Sequence, residues 1–209
     1  MPANLRIGID FDNTIITYDE VFCAAAKHGG LLDADFVGGK QAVRDTIRLL
    51  PDGEIAWQRL QGQVYGKGIL EAGVVAGVRE FLQRCRAEGC AVMVVSHKTE
   101  YGHYDPDRVN LRKAALDWMT AQGLLMGADG IAPENIYFES SRADKLRRIA
   151  ALSLTHFIDD LEELLTDPGF PVGVRRILFA GQTAVTADRY VRCATWGEIE
   201  KQVFGGARP

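Results

Sequence analysis

Five short apolar runs constrain this chain more than any other feature, because segments with helical periodicity separate them. The runs are residues 5–10 (LRIGID), 90–96 (CAVMVVS), 135–138 (NIYF), 155–159 (THFID) and 176–180 (RILFA). Near-continuous apolar character over so few residues fits strands buried on both faces, as in a parallel sheet. Between the runs, residues 74–88 place Val74, Val78, Phe81, Leu82 and Cys85 on one helical face. Residues 108–122 do the same with Leu111, Ala115, Trp118 and Met119, and residues 143–152 with Leu146, Ile149 and Ala150. Alternation of this kind predicts an α/β fold: a central parallel sheet, right-handed crossovers and helices on both faces.

One region breaks the pattern. Residues 16–72 carry helical periodicity around 20–28, 40–50 and 54–66 but no strand-like run, and Gly29, Gly30, Gly38, Gly39 and Pro51-Asp52-Gly53 punctuate them. The expected organisation is a core of residues 1–15 and 73–204, a small helical insertion of residues 16–72, and a loose tail of residues 205–209. The 209 residues suit one domain and a small second one, since a domain averages roughly 150 residues.

Composition narrows the function classes. With 47 % hydrophobic and 25 % charged residues, the chain is neither collagen-like nor disordered. Its net charge of −4 argues against non-specific nucleic-acid binding and against a polybasic membrane contact. No apolar run approaches the about 18 residues of a membrane span, and the N-terminus enters a strand-like run with no signal-peptide core, so cytoplasm is the expected location. Cys23, Cys85, Cys90 and Cys193 form no C-x-x-C pair and have apolar neighbours, which reads as buried free thiols.

The polar residues sit where the runs end. In open parallel sheets ligands bind beyond the carboxyl ends of the strands. The first run leads into Asp10-Phe11-Asp12-Asn13-Thr14, the second into Ser96-His97-Lys98, the third through Glu139-Ser140-Ser141-Arg142 to Lys145, and the fourth into Asp159-Asp160. Carboxylates, a hydroxyl and a cation converging in this way describe a magnesium and phosphate site. Carboxylate oxygens suit a hard divalent ion, and lysine with backbone N–H groups suits phosphoryl oxygens.

Asp10-x-Asp12-x-Thr14 after an apolar strand, then Ser96, Lys145 and Asp159-Asp160, resemble the four ordered motifs of the haloacid dehalogenase (HAD) superfamily, from Ile7 to about Leu165. The resemblance implies a Rossmann-like three-layer α/β/α core with a small helical (C1-type) cap inserted after the first strand. It implies Asp10 as the nucleophile that forms an aspartyl-phosphate, and Asp12 as the group that protonates the leaving oxygen and then activates water. Thr14 would brace the loop and belong to the phosphate-binding set. The Ser96 hydroxyl and the His97 backbone N–H would bind phosphoryl oxygens, and Lys145 would offset charge between phosphate and nucleophile. Mg2+ would be held by the Asp10 carboxylate, the Asp12 carbonyl and the acidic pair, with Asp160 as the direct ligand and Asp159 behind it.

Each motif has a plainer reading. Asp10-x-Asp12-x-Thr14 could begin a calcium loop, but Ile15 and Val21 stand where that loop needs Gly and Glu. Asp159-Asp160 alone would suit an acidic helix start, and Lys145 alone a solvated helix lysine. A phospho-acceptor receiver domain also gathers acids, a hydroxyl and a lysine around magnesium, but there the lysine closes the motif order, whereas here Asp159-Asp160 follows Lys145. Candidates for reading the substrate are Tyr18, Asp19, Lys40, Arg44 and Arg48 in the insertion, and Lys98, Tyr101 and His103 in the loop after the second run. The expected function is a Mg2+-dependent phosphohydrolase acting on a small phosphorylated metabolite, such as a sugar phosphate or nucleotide. The alternatives are a phosphotransferase or phosphomutase using the same intermediate, and a catalytically silent scaffold that binds a phospho-ligand.

Overall fold

A computed structural model describes residues 5–125, 130–181 and 189–205. The chain divides into two compact units, one of Met1–Ile15, Val74–His97 and Gly123–Pro209, the other of Ile16–Gly73 and Lys98–Gln122.

The first unit is built on β1 (Arg6–Ile9), β4 (Ala91–His97), β5 (Ile136–Glu139), β6 (His156–Asp159), β7 (Arg175–Phe179) and β8 (Val191–Cys193). They form one sheet in the order β5-β4-β1-β6-β7-β8, and every pairing is parallel. Helices flank the sheet in the three-layer α/β arrangement the alternation implies. The five apolar runs are the first five of these strands. β8, only three residues long, has no run of its own to mark it in the sequence.

Side-chain parity divides the sheet between its two helical layers. On one face Met93, Val95, Phe157 and Leu178 pack with Ile149 of α6 (Arg142–Ala151) and with Leu164 and Leu165 of α7 (Glu162–Leu165). Gly8 lies on this face, where a Cβ would stand 2.5 Å from both Leu154 Cδ1 and Phe157 Cδ2, so only glycine fits there. On the other face α4 (Val78–Ala87) and α8 (Trp196–Phe204) meet through Phe81 and Trp196, whose ring centroids lie 4.9 Å apart. Helix α8 starts on a reciprocal cap. Thr195 Oγ1 accepts from the Glu198 N–H at 3.2 Å, and the Glu198 carboxylate accepts from the Ala194 N–H at 2.7 Å.

The second unit contains α1 (Asp19–His28), α2 (Lys40–Ile47), α3 (Gly53–Tyr65) and α5 (Leu111–Ala121). Ile16–Thr17 (β2) and Gly73–Val74 (β3) pair as a two-stranded ribbon. Its core includes Phe22, Val43, Ile47, Trp57, Leu60 and Val64. Residues 98–122, grouped with the core by sequence alone, pack here instead. Trp118 of α5 is buried and its Nε1–H donates to the Ala72 carbonyl at 2.9 Å. Gly62 and Gly102 let α3 and the loop before α5 approach closely, a Cβ on Gly102 meeting Gly62 Cα at 2.7 Å. The expected tail at 205–209 lies outside the described residues beyond Gly205. No helix among the described residues is long and apolar enough to cross a membrane.

Candidate active site

The strands that lead into the polar motifs, β5, β4, β1 and β6, are consecutive in the sheet and parallel, so their carboxyl ends share one edge of the first unit. Asp10 follows β1 directly, its N–H donating to the Ile158 carbonyl at 2.9 Å. Asp10 is two residues beyond Gly8 and Asp159 two beyond Phe157, so both carboxylates fall on the face that α6 covers. On α6 itself, Lys145 is one turn before Ile149, which packs into that face. Strand parity and helix period therefore aim the lysine at the two acids.

The resulting contacts are short. Lys145 Nζ donates to Asp10 Oδ1 and to Asp159 Oδ2, each at 2.6 Å, although the residues stand 135 and 14 positions away in the chain. Lys145, Asp10 and Asp159 are 2 %, 5 % and 0 % exposed, so this triad is enclosed by protein. Asp159 Oδ1 also accepts from the Leu161 N–H at 2.9 Å. Burial by itself would lower the Lys145 pKa, but the carboxylates of Asp10 and Asp159 outweigh it and raise the pKa above the usual lysine value. Burial and the neighbouring Asp10 push the Asp159 carboxyl up to about 6 against the opposing pull of Lys145.

Asp10, Asp159 and Asp160 each bring a carboxylate oxygen within 4.8 Å of the others, a spacing suited to one metal ion. Three carboxylates against one ammonium leave a local excess of negative charge, and all the donors are hard oxygens. A small divalent cation fits such a set. Half-buried Asp12 lies on the loop that leaves β1.

Thr14 is fully buried, and its hydroxyl has no hydrogen-bond partner among the described residues. Ser96 is buried at 1 % exposure near the end of β4. The exposed His97 side chain donates from Nε2 to the Ser140 carbonyl at 3.1 Å. Asn13, absent from the motif reading, takes a left-handed backbone (φ 58°), and its Nδ2–H donates to Asp160 Oδ2 at 3.0 Å. The signal for it was present in the sequence: asparagine is among the few non-glycine residues that adopt this conformation readily.

The substrate-reading candidates all fall in the second unit. Tyr18 is buried, with Tyr65 at 4.9 Å between ring centroids, and Lys98 Nζ lies 4.9 Å from the same Tyr65 ring. Lys40 Nζ lies between 5.4 and 5.9 Å from the rings of Tyr18, Phe22 and Tyr65. Arg44 pairs with Asp45 at 2.9 Å on an exposed stretch of α2, Tyr101 lies under Arg108, and His103 is exposed.

Known proteins place the architecture. No protein-family model matches the chain, and no curated protein sequence does. Solved structures do match over nearly the whole length. A haloacid dehalogenase-like hydrolase from Xanthomonas campestris is 16 % identical with a TM-score of 0.56, covering 97 % of this chain and 96 % of its own. Protein Tyrosine Kinase A of Mycobacterium tuberculosis is 15 % identical with a TM-score of 0.62, over 98 % and 100 %. A predicted phosphoglycolate phosphatase from Haemophilus somnus is 14 % identical with a TM-score of 0.51, over 97 % and 99 %. By this likeness over nearly its whole length, the chain has the haloacid dehalogenase-like fold.

Proposed function

We propose that this chain is a Mg2+-dependent phosphohydrolase that removes phosphate from a small phosphorylated metabolite through an aspartyl-phosphate on Asp10. The observation that carries the reading is the Asp10 carboxylate, set just past β1 with Lys145 Nζ 2.6 Å from one of its oxygens. That ammonium offsets local negative charge and lets an anionic substrate approach a carboxylate nucleophile.

Asp10 attacks phosphorus with a carboxylate oxygen, and the bond to the leaving oxygen breaks as Asp12 delivers its proton. Asp12, now a carboxylate, takes a proton from water. The water oxygen attacks the phosphoryl group on Asp10, releasing inorganic phosphate and restoring the carboxylate. Ser96 and the His97 N–H bind phosphoryl oxygens in this scheme, and Thr14 braces the loop. Asp10, the Asp12 carbonyl and Asp160 would hold Mg2+, with Asp159 behind them, its two oxygens taken up by Lys145 and the Leu161 N–H. When bound, the ion neutralises charge that the phosphoryl group develops. Residues 16–72 are proposed as a small cap, and Tyr18 and Lys98, both close to Tyr65, are candidates for reading the rest of the substrate. Arg44, Tyr101 and His103 remain candidates for the same role.

The same fold occurs in a protein named as a tyrosine kinase, so architecture alone does not separate hydrolysis from transfer to an acceptor hydroxyl. Phosphate release from 4-nitrophenyl phosphate, with Mg2+ and with chelator, tests the chemistry in wild type beside Asp10→Asn. Mg2+-dependent release that falls about a thousandfold or more in the variant is expected. Undiminished release from Asp10→Asn would refute the assignment of the nucleophile.

A further inference from the structure

Three acidic side chains meet at one edge of the sheet, and each must be held against the repulsion of the others. Asp10 and Asp159 share the Lys145 ammonium, and Asp159 also accepts from the Leu161 N–H. Asp160 has a neutral donor among its partners. The Asn13 amide, 147 residues away in the chain, donates to its Oδ2 at 3.0 Å.

We propose that Asn13 is a positioning residue, whose side-chain amide ties the Asp160 carboxylate to the loop after β1 and so fixes the spacing a divalent cation requires. The inference rests on the metal reading given under Proposed function. Two observations on Asn13 support it. The first is its backbone at φ 58°, a conformation glycine adopts with less strain. Glycine, however, has no donor to offer, and an asparagine here combines that backbone with an amide reaching the acid. The second is the kind of donor. A lysine would pin Asp160 by cancelling the charge that draws in a cation, whereas a neutral amide pins the carboxylate and leaves its charge intact. The tether also spans two loops, one after β1 and one after β6, so it sets the separation of Asp10 from Asp160 rather than the orientation of one side chain alone.

The test uses Mn2+ as a probe, with the free-ion electron paramagnetic resonance signal as a readout independent of turnover. Wild type, Asn13→Gly and Asn13→Ala are titrated, and each is melted without metal. Both variants lose the amide, but only alanine puts a Cβ at positive φ. The expected result is a Mn2+ affinity about tenfold weaker in both variants, with the melting temperature lowered chiefly in Asn13→Ala. Wild-type affinity in Asn13→Gly, or a loss that appears only in Asn13→Ala along with its lower melting temperature, would overturn the tether and leave the metal reading standing. Absence of Mn2+ binding by wild type would overturn the metal reading itself, and the tether with it.

Discussion

Replacing Lys145 by methionine tests the physical heart of the site, because methionine keeps much of the side-chain volume and removes the charge. In wild type the ammonium is 2.6 Å from two carboxylate oxygens. At an effective dielectric constant of about 20, each contact has a Coulomb attraction of about 6 kcal/mol, most of it offset by removing the three charges from water. Removing one partner leaves the others buried and uncompensated, which costs about 3–5 kcal/mol at neutral pH. The pH profile carries the sharper signature. Without Lys145, Asp159 loses the influence that lowers its pKa, while burial and Asp10 still raise it. Its folded pKa then lies further above the unfolded value, so the native state binds more protons than the unfolded state over that interval. Stability therefore falls as pH rises through this window and recovers on acidification, by up to about 1.4 kcal/mol per pH unit for one proton. Urea unfolding in chelator between pH 5.5 and 7.5, followed by circular dichroism, measures both effects. A Lys145→Met protein as stable as wild type at pH 7.5, or one with no steeper recovery on acidification, would refute the triad reasoning.

Two smaller perturbations follow from buried polar groups. Thr14→Val removes a buried hydroxyl that has no partner among the described residues. Stability should hold or rise by up to about 1 kcal/mol, seen as a melting temperature raised by about 2–4 °C. A loss larger than that would mean the hydroxyl is satisfied. His156 is buried, with Thr155 Oγ1 at 3.0 Å, and burial first and Arg175 second lower its pKa. It takes up a proton less readily when folded than when unfolded, so its share of stability is lost as pH falls below the unfolded value of about 6.5. His156→Gln should lose less melting temperature than wild type between pH 7.5 and 5.5. An identical acid loss in both proteins would contradict this.

Much of the fold was legible because its signals are local. Buried parallel strands must be apolar on both faces, and all five runs became neighbours in one sheet. The helices around Val78, Leu111 and Arg142 followed from periodicity. Strand β8 and helix α8 were not seen. β8 has three residues at the edge of the sheet, and α8 is placed by Trp196 packing against Phe81 and Phe179, a contact between segments far apart in the chain. Residues 98–122 follow a core strand in sequence, yet their helix is held by Trp118 and the Ala72 carbonyl, which periodicity does not report.

The candidate site divides in the same way. Sequence by itself determined that Asp10, Ser96 and Asp159 stand at strand ends and that Lys145 starts the helix after the third apolar run. A parallel sheet with right-handed crossovers then brings such ends to one edge. Only the tertiary structure decided that Lys145 Nζ bridges Asp10 and Asp159, that Asn13 reaches Asp160, and that Tyr18, Lys40 and Lys98 gather about Tyr65. Apolar patterning sets which residues are buried and in which element. The partner of a buried charge depends on side-chain reach across tightly packed elements, and that distance exists only once the chain has folded.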